Sequence, residues 1–437
     1  MCDHYHPQSC DTPNLTEAGF TRRRFMSHGL GLISAAATVP AFLMRAGDAL
    51  AADTTMRLSS KSGVPDDRVL VVVQLSGGND GLNTVIPFGH DAYYQSRPSL
   101  GIKAEDVLRV AGSEGVGLHP SLAPIQEMME AGLAAAVQGV GYPNPNRSHF
   151  SSMDIWHTAD ASAAGQGGRG WIGSALDRLD QPTGLDCLNI GSTAPLATLG
   201  QTSRPVSFEN AQLFRWAGRD LDQQVSQSYD QVHDVAVEAG SEDPLAFINR
   251  TSMDAQVASD KVRKAVSFKS STEWSAKSGL GRQLEMVAKM IRAELPTRVY
   301  YVAMGGFDTH ANQLNNHKNL MDQFAKAMQA FYAELEATGH RSRVVSLAFS
   351  EFGRRVRQNA SGGTDHGCAG PSFVFGEHVN PGILGKHPSL DHLDKGDLVH
   401  NLDFRSLYTD LLQDWMKLDA KQALGQRYPS AGILRAV

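Results

Sequence analysis

Continuous apolar runs, with no polar alternation, mark the strands of this chain. Residues 68–75 (RVLVVVQL), 133–140 (LAAAVQGV), 297–304 (TRVYYVAM) and the segment from Val344 to Phe349 each read this way. Strands with apolar residues at odd and even positions alike are buried on both faces, the habit of a mostly parallel sheet covered by helices. Helical spacing appears between them. Residues 122–131 follow a His-Pro-Ser turn with Pro124 in the first helical turn, and a helix is expected over about 151–158. From about 208 to 296 the pattern is largely helical, clearest over 246–266 and 283–295, and predicts a helical insertion between two parts of the sheet. Leu320, Phe324, Met328 and Phe331 mark the core face of a helix over 314–337; Leu407, Leu411, Leu412 and Trp415 do so for a final helix over 403–418, with Asp403 as N-cap. Residues 160–185, with Trp171 and Ile172, read as a surface loop and helix.

Each long apolar run is followed by a turn or loop carrying chemistry. Ser76-Gly77-Gly78-Asn79-Asp80-Gly81 follows the first, and Gly305-Gly306-Phe307-Asp308-Thr309-His310 follows the third. Glu351 sits where the fourth run stops, and Asp365 and His366 return after a Gly-rich loop. The second run opens into Asn146-Arg147-Ser148-His149-Phe150 ahead of a helix. In a doubly wound sheet the carboxyl ends of the strands share one edge, where such folds bind ligands. Ser148, with Arg147 beside it, suits either a nucleophile served by backbone N–H groups and a guanidinium or a plain helix cap. His149 and His157 read as surface or packing histidines. Carboxylates mixed with imidazoles suit Zn, Mn or Fe better than Ca or Mg, and two such groups would hold two ions. The expected ligands are Asp80, Asp308, His310, Glu351, Asp365 and His366, with Asp365 either a ligand or a partner that orients His366. No G-x-G-x-x-G and no Walker motif occurs, so nucleotide cradling is not supported.

Composition excludes more than it identifies. With 41% hydrophobic and 20% charged residues the chain is of ordinary globular type, and a net charge of -6 leaves no electrostatic footprint for nucleic acid. The amino terminus differs from the rest. Arg22-Arg23-Arg24-Phe25-Met26 precedes a Gly- and Ala-rich apolar stretch from Gly29 to Met44 and the small residues Ala49-Leu50-Ala51. This order predicts a twin-arginine export signal over 1–51, a polar linker over 52–67 and one α/β domain over 68–437. The expected route is through the twin-arginine translocase to the periplasm or outside the cell, with no stable membrane span after cleavage. Removing the signal deletes Cys2 and Cys10 and leaves Cys187 and Cys368, enough for one bridge in an oxidising compartment or for two isolated thiols.

Taken together, SGGNDGLN from Ser76, NRSHF from Asn146, FDTH from Phe307, SEFGR from Ser350, TDHG from Thr364 and LDFRSLY from Leu402 resemble an exported bacterial family known as domain of unknown function 1501. The resemblance covers about residues 65 to 420. Members are similar to the alkaline phosphatase and sulfatase superfamily, which implies a three-layer α/β sandwich around a two-metal site. By that resemblance Asp80 would bind the second metal, Ser148 would be the nucleophile, Asp308 and His310 would hold the first metal and His366 would complete it. Glu351 stands where the superfamily has an Asp-His pair, which removes one imidazole. The Asp308-to-His310 spacing is narrower than usual, and residues 141–150 lack the C/S-x-P-S-R motif of sulfatases. The implied activity is metal-dependent hydrolysis of phosphate or related esters, on a small-molecule or polymeric substrate. The other reading is a non-catalytic binding or assembly protein on the same fold.

Overall fold

The computed structural model describes residues 68–211, 259–272, 274 and 276–435. The segments expected to be an export signal (1–51) and a linker (52–67), and most of the expected helical insertion, lie outside these residues.

The fold is a three-layer α/β sandwich around a nine-stranded, mostly parallel sheet. Its strands in chain order are β1 (Val69–Leu75), β2 (Ala134–Gly141), β3 (Cys187–Ile190), β4 (Val206–Phe208), β5 (Val299–Met304), β6 (Val344–Phe349), β7 (Gly370–Phe375), β8 (Gly382–Leu384) and β9 (Leu402–Asp403). Across the sheet the order is β8-β2-β7-β6-β1-β5-β3-β4, with β9 also pairing with β2. The first expected runs therefore became strands within a residue or two of their predicted bounds.

Parallel pairing joins β6, β1, β5, β3 and β4 in an unbroken block, with Val72 of β1 opposite Tyr301 of β5 and Leu347 of β6. β7 is antiparallel to both β6 and β2. The reversal has a consequence for the site. β7 starts at the edge where its neighbours end, so the segment leading into it, with Asp365 and His366, returns to the carboxyl ends of β1, β2, β5 and β6.

Both faces of the sheet are covered, which is why β1 needs apolar residues at successive positions. On one face Val69, Val71, Val73 and Leu75 pack with α1 (Ala123–Glu130), α4 (Gly279–Arg292) and α5 (Gln313–Ala337). On the other, Leu70 and Val72 pack with α2 (His149–Thr158), α3 (Trp171–Leu176) and α6 (Phe404–Thr409). The core stripe of α5 runs through Met321, Phe324, Met328, Phe331 and Leu335; Leu320, expected on it, is only partly buried. The expected last helix begins as predicted, since Asp403 accepts the Arg405 N–H at 3.0 Å. It then widens into a π-helical segment over Asp410–Trp415.

Packing corrects one expectation and decides between two open alternatives. Trp171 and Ile172 are core residues rather than surface ones, with the Trp171 ring stacked on Tyr408 at 4.0 Å between centroids. Cys187 and Cys368 are both free thiols, Cys187 being buried within β3, so the two do not form the bridge that an oxidising compartment would permit.

Phe331 lies fully buried between α5 and the sheet. Phe331→Ala is expected to destabilise the protein by about 3–5 kcal/mol, because the neighbouring side chains relax only partly into the space. A lowered denaturation midpoint, with the ligand-bearing edge otherwise intact, is the result to look for.

Candidate metal centre at the carboxyl edge

Three loops and one helix start meet at this edge. The β1 loop must turn sharply, and Gly77 does so at a φ of +120°, where a Cβ would strike the Asp308 amide. The β5 loop delivers Asp308 and His310. The loop before β7 delivers Asp365 and His366, and Gly363 within it passes so close to the His310 carbonyl that no side chain fits between them. The fourth contributor is α2, whose first residue is His149.

One ligand atom each from His149, Asp308 and His366 lies within 4.8 Å of the others. His310 closes the group: its Nε2 is 3.0 Å from Asp308 Oδ1 and 2.9 Å from His366 Nε2. His366 Nε2 is 3.2 Å from the same Asp308 oxygen, and His149 Nε2 is 3.5 Å from Asp308 Oδ2. All four side chains are partly exposed, so the cluster is open to solvent.

The outward nitrogens determine what the inward ones can be. His366 Nδ1 faces the Arg147 backbone carbonyl at 2.8 Å, an acceptor only, so Nδ1 must carry a proton. His310 Nδ1 faces the Asp365 carboxylate at 3.2 Å, and His149 Nδ1 faces Glu351 Oε1 at 2.8 Å. A neutral ring held this way turns its Nε2 lone pair inward. The three Nε2 atoms lie against the Asp308 carboxylate, and Arg354 Nη2 donates to Asp308 Oδ1 at 2.7 Å from behind. Among the described residues, His149 Nε2 is a buried atom with no hydrogen-bond partner. With all three rings neutral and protonated at Nδ1, such a set would repel itself unless a cation lay among it, and imidazoles oriented through Nδ1 by carbonyls and carboxylates are the arrangement of metal-binding histidines.

Electrostatics keeps the anionic ligand charged. Burial would raise the Asp308 carboxyl, but the Arg354 and His366 hydrogen bonds outweigh it and hold the group down to about 2. Asp365 is lowered by its hydrogen bond from Asn359, then by His310.

The predicted residues divide into groups. Asp308, His310 and His366 are brought together. Asp365 and Glu351 stand one layer out, each against an imidazole; Glu351 also accepts the Gly77 N–H at 2.8 Å. Asp80 is not among the converging ligand atoms. It is buried in an ion pair with Arg97 and accepts the Gln313 side-chain amide, and although burial alone would raise its pKa, Arg97 holds it below the usual carboxylate range. The Arg147 guanidinium pairs with buried Asp397, while its carbonyl orients His366. Ser148 is exposed at the N-cap of α2; its Oγ makes no capping bond, and its N–H donates to Asn146 Oδ1 at 2.8 Å. His149 is the residue that sequence reasoning missed. The available signal was its position beside Ser148 at the helix start after a buried strand, the same strand-then-ligand order that singled out Asp308.

The fold and this cluster define a three-layer α/β protein with a histidine-carboxylate group at the carboxyl edge of its sheet. The chain belongs to the family described as "Protein of unknown function (DUF1501)", whose model matches residues 67–423. No curated protein matches the sequence. Among solved structures it is similar to the lipoteichoic acid synthase LtaP from Listeria monocytogenes, at 10% identity and a TM-score of 0.35, covering 74% of this chain and 71% of that one. It is also similar to the C-terminal periplasmic domain of EcEptC from Escherichia coli, at 9% identity and a TM-score of 0.33, covering 85% and 88%. Likeness at this level says nothing of activity, so the chemistry is read from the side chains.

Two buried histidines predict a pH response separate from the cluster. Burial lowers both His157 and His317 to about 4 from an ordinary value of 6.5. Because the folded values are depressed, the unfolded chain takes up protons first: stability is whole above pH 6.5 and declines as pH falls toward about 4. Thermal midpoints measured across this window should fall with pH, and His157→Gln should flatten the slope. An unchanged slope in that variant would count against the assignment.

Proposed function

We propose that this protein is an exported metal-dependent hydrolase of phosphate or related esters, with one divalent ion, Zn or Mn, held by His149, Asp308, His310 and His366. The observation that carries this reading is the approach of three imidazole Nε2 atoms to one carboxylate, each ring held from behind at Nδ1 by an acceptor. Imidazole-rich sets with a single carboxylate suit Zn, Mn or Fe better than Ca or Mg. A bound ion would supply Lewis acidity, drawing charge from an ester oxygen and offsetting the negative charge that builds up on the transferring group.

The chain's own groups would do the rest. Glu351, Asp365 and the Arg147 carbonyl hold the three rings in the tautomer that faces inward. Arg354 keeps Asp308 anionic and fixed. Ser148, the residue before His149, offers an exposed hydroxyl at the start of a ten-residue helix, where backbone N–H groups favour the anion that forms during transfer. The two-ion arrangement implied by sequence resemblance is narrowed to one ion, because Asp80 is already paired with Arg97 and Gln313. The same saturation of Asp80 favours a second reading, in which the ion serves a binding protein without catalysis.

Elemental analysis of the purified mature protein should find about one equivalent of Zn, Mn or Fe per chain, and His149→Ala should lower it. Absence of metal, with no esterase activity restored by adding these ions in a phosphate, sulfate and phosphonate ester screen, sinks the enzyme reading; bound metal without turnover leaves the binding reading. If turnover is found, Ser148→Ala should reduce kcat by about three orders of magnitude or more, whereas undiminished turnover would remove Ser148 as the nucleophile.

A further inference from the structure

Gln313, the first residue of α5, is fully buried, and each end of its amide is engaged. Its Oε1 accepts two hydroxyls, from Thr309 at 3.0 Å and from Thr364 at 2.6 Å. Thr309 lies between Asp308 and His310. Thr364 immediately precedes Asp365 and His366. The other end of the amide, Nε2, donates to Asp80 Oδ2. Asp80 is itself held by Arg97, which donates through Nε to the Val356 carbonyl at 2.9 Å and through Nη2 to the Arg355 carbonyl at 2.9 Å.

We propose that Gln313 is a positioning residue for the cluster, tying the Asp308-His310 loop to the Asp365-His366 loop through one amide oxygen, with Asp80 as the anchor that sets its direction. The proposal rests on the metal reading above for its purpose, but its geometry is independent of it. A glutamine can present either end of its amide to a hydroxyl. The Asp80 carboxylate can only accept, so it selects the NH₂ end and leaves the oxygen for both threonines. Both hydroxyls are therefore drawn toward one point, and the ligand pairs beside them are drawn with them. Backbone bonds reinforce the register: Thr364 N–H donates to the Thr309 carbonyl at 3.2 Å, and Gln313 N–H to the Gly362 carbonyl at 2.9 Å. What the clamp maintains is the close approach of His310 Nε2 and His366 Nε2, 2.9 Å apart. Asp80, expected from sequence to bind metal directly, acts instead on the ligands from one layer below.

Thr364→Val removes the hydroxyl donor at nearly constant shape, and Thr364→Ser restores it; Thr309→Val repeats the test on the other loop should the first variant fail to fold. Two readouts on the full mature chain separate positioning from mere stability. In a Co²⁺ titration the valine variant should bind roughly 10- to 100-fold more weakly, as loss of an outer partner of a metal ligand typically does. Its visible cobalt spectrum should change, and the serine variant should restore both. In metal-free protein labelled with ¹³C at histidine, the His310 and His366 ring signals should move in the valine variant while His90 and His378 stay. Wild-type cobalt affinity, an unaltered spectrum and unmoved ring signals would overturn the proposal. If the wild-type protein takes up no cobalt, the metal reading is lost, and the ring signals alone decide the positioning role: selective movement supports it and none refutes it.

Discussion

The carboxyl edge of this sheet depends on one buried guanidinium. Arg354 is 1% exposed and donates to five oxygens: the carbonyls of Gly77, Gly78, Phe307 and Thr364 and the Asp308 carboxylate. Those oxygens come from three separate loops, after β1, after β5 and before β7. An arginine buried alone would be costly, and so would four carbonyls turned from water without donors. Each solves the other's problem, because the planar fork spreads its N–H groups in directions that no aliphatic or ammonium side chain can serve. The loops are consequently fixed to one another before any ligand is considered.

Around that contact the polar groups are layered. Innermost are the three imidazoles, each with its Nε2 against the Asp308 carboxylate. Next come Glu351, Asp365 and the Arg147 carbonyl, each holding one ring by its outer nitrogen. Beneath lie Gln313, Asp80 and Arg97, fully buried, which connect the loops through side chains where the backbone cannot. A buried ion pair such as Asp80-Arg97 contributes little net stability against an apolar replacement of the same shape. Its retention makes sense as a directional device: a charged pair below the site keeps every amide and hydroxyl above it pointing one way.

The sheet's antiparallel strand makes this possible. In an all-parallel sheet the chain would approach β7 from the far edge, and Asp365 and His366 would enter from the wrong end. Reversal of β7 lets the Gly-rich segment after Glu351 stay at the carboxyl edge and fold back over it, with Gly363 allowing close passage past His310.

How much of this was legible in the chain follows from the range of each interaction. Runs such as VLVVVQL and VYYVAM declare strands buried on both faces through local composition alone, and the strand-end positions of Asp308 and His310 follow from them. The chain also marked Asp80, Glu351 and Arg147 as residues of the site. Which of them face the centre was decided only by folding: Gln313 reaches Asp80 from 233 residues away and Arg97 joins it from 17, Asp397 takes the Arg147 guanidinium, and Glu351 meets an imidazole 202 residues away. His149 was hidden for the same reason. Its ring is aimed by the acceptor at its outer nitrogen, Glu351, which comes from the loop after β6.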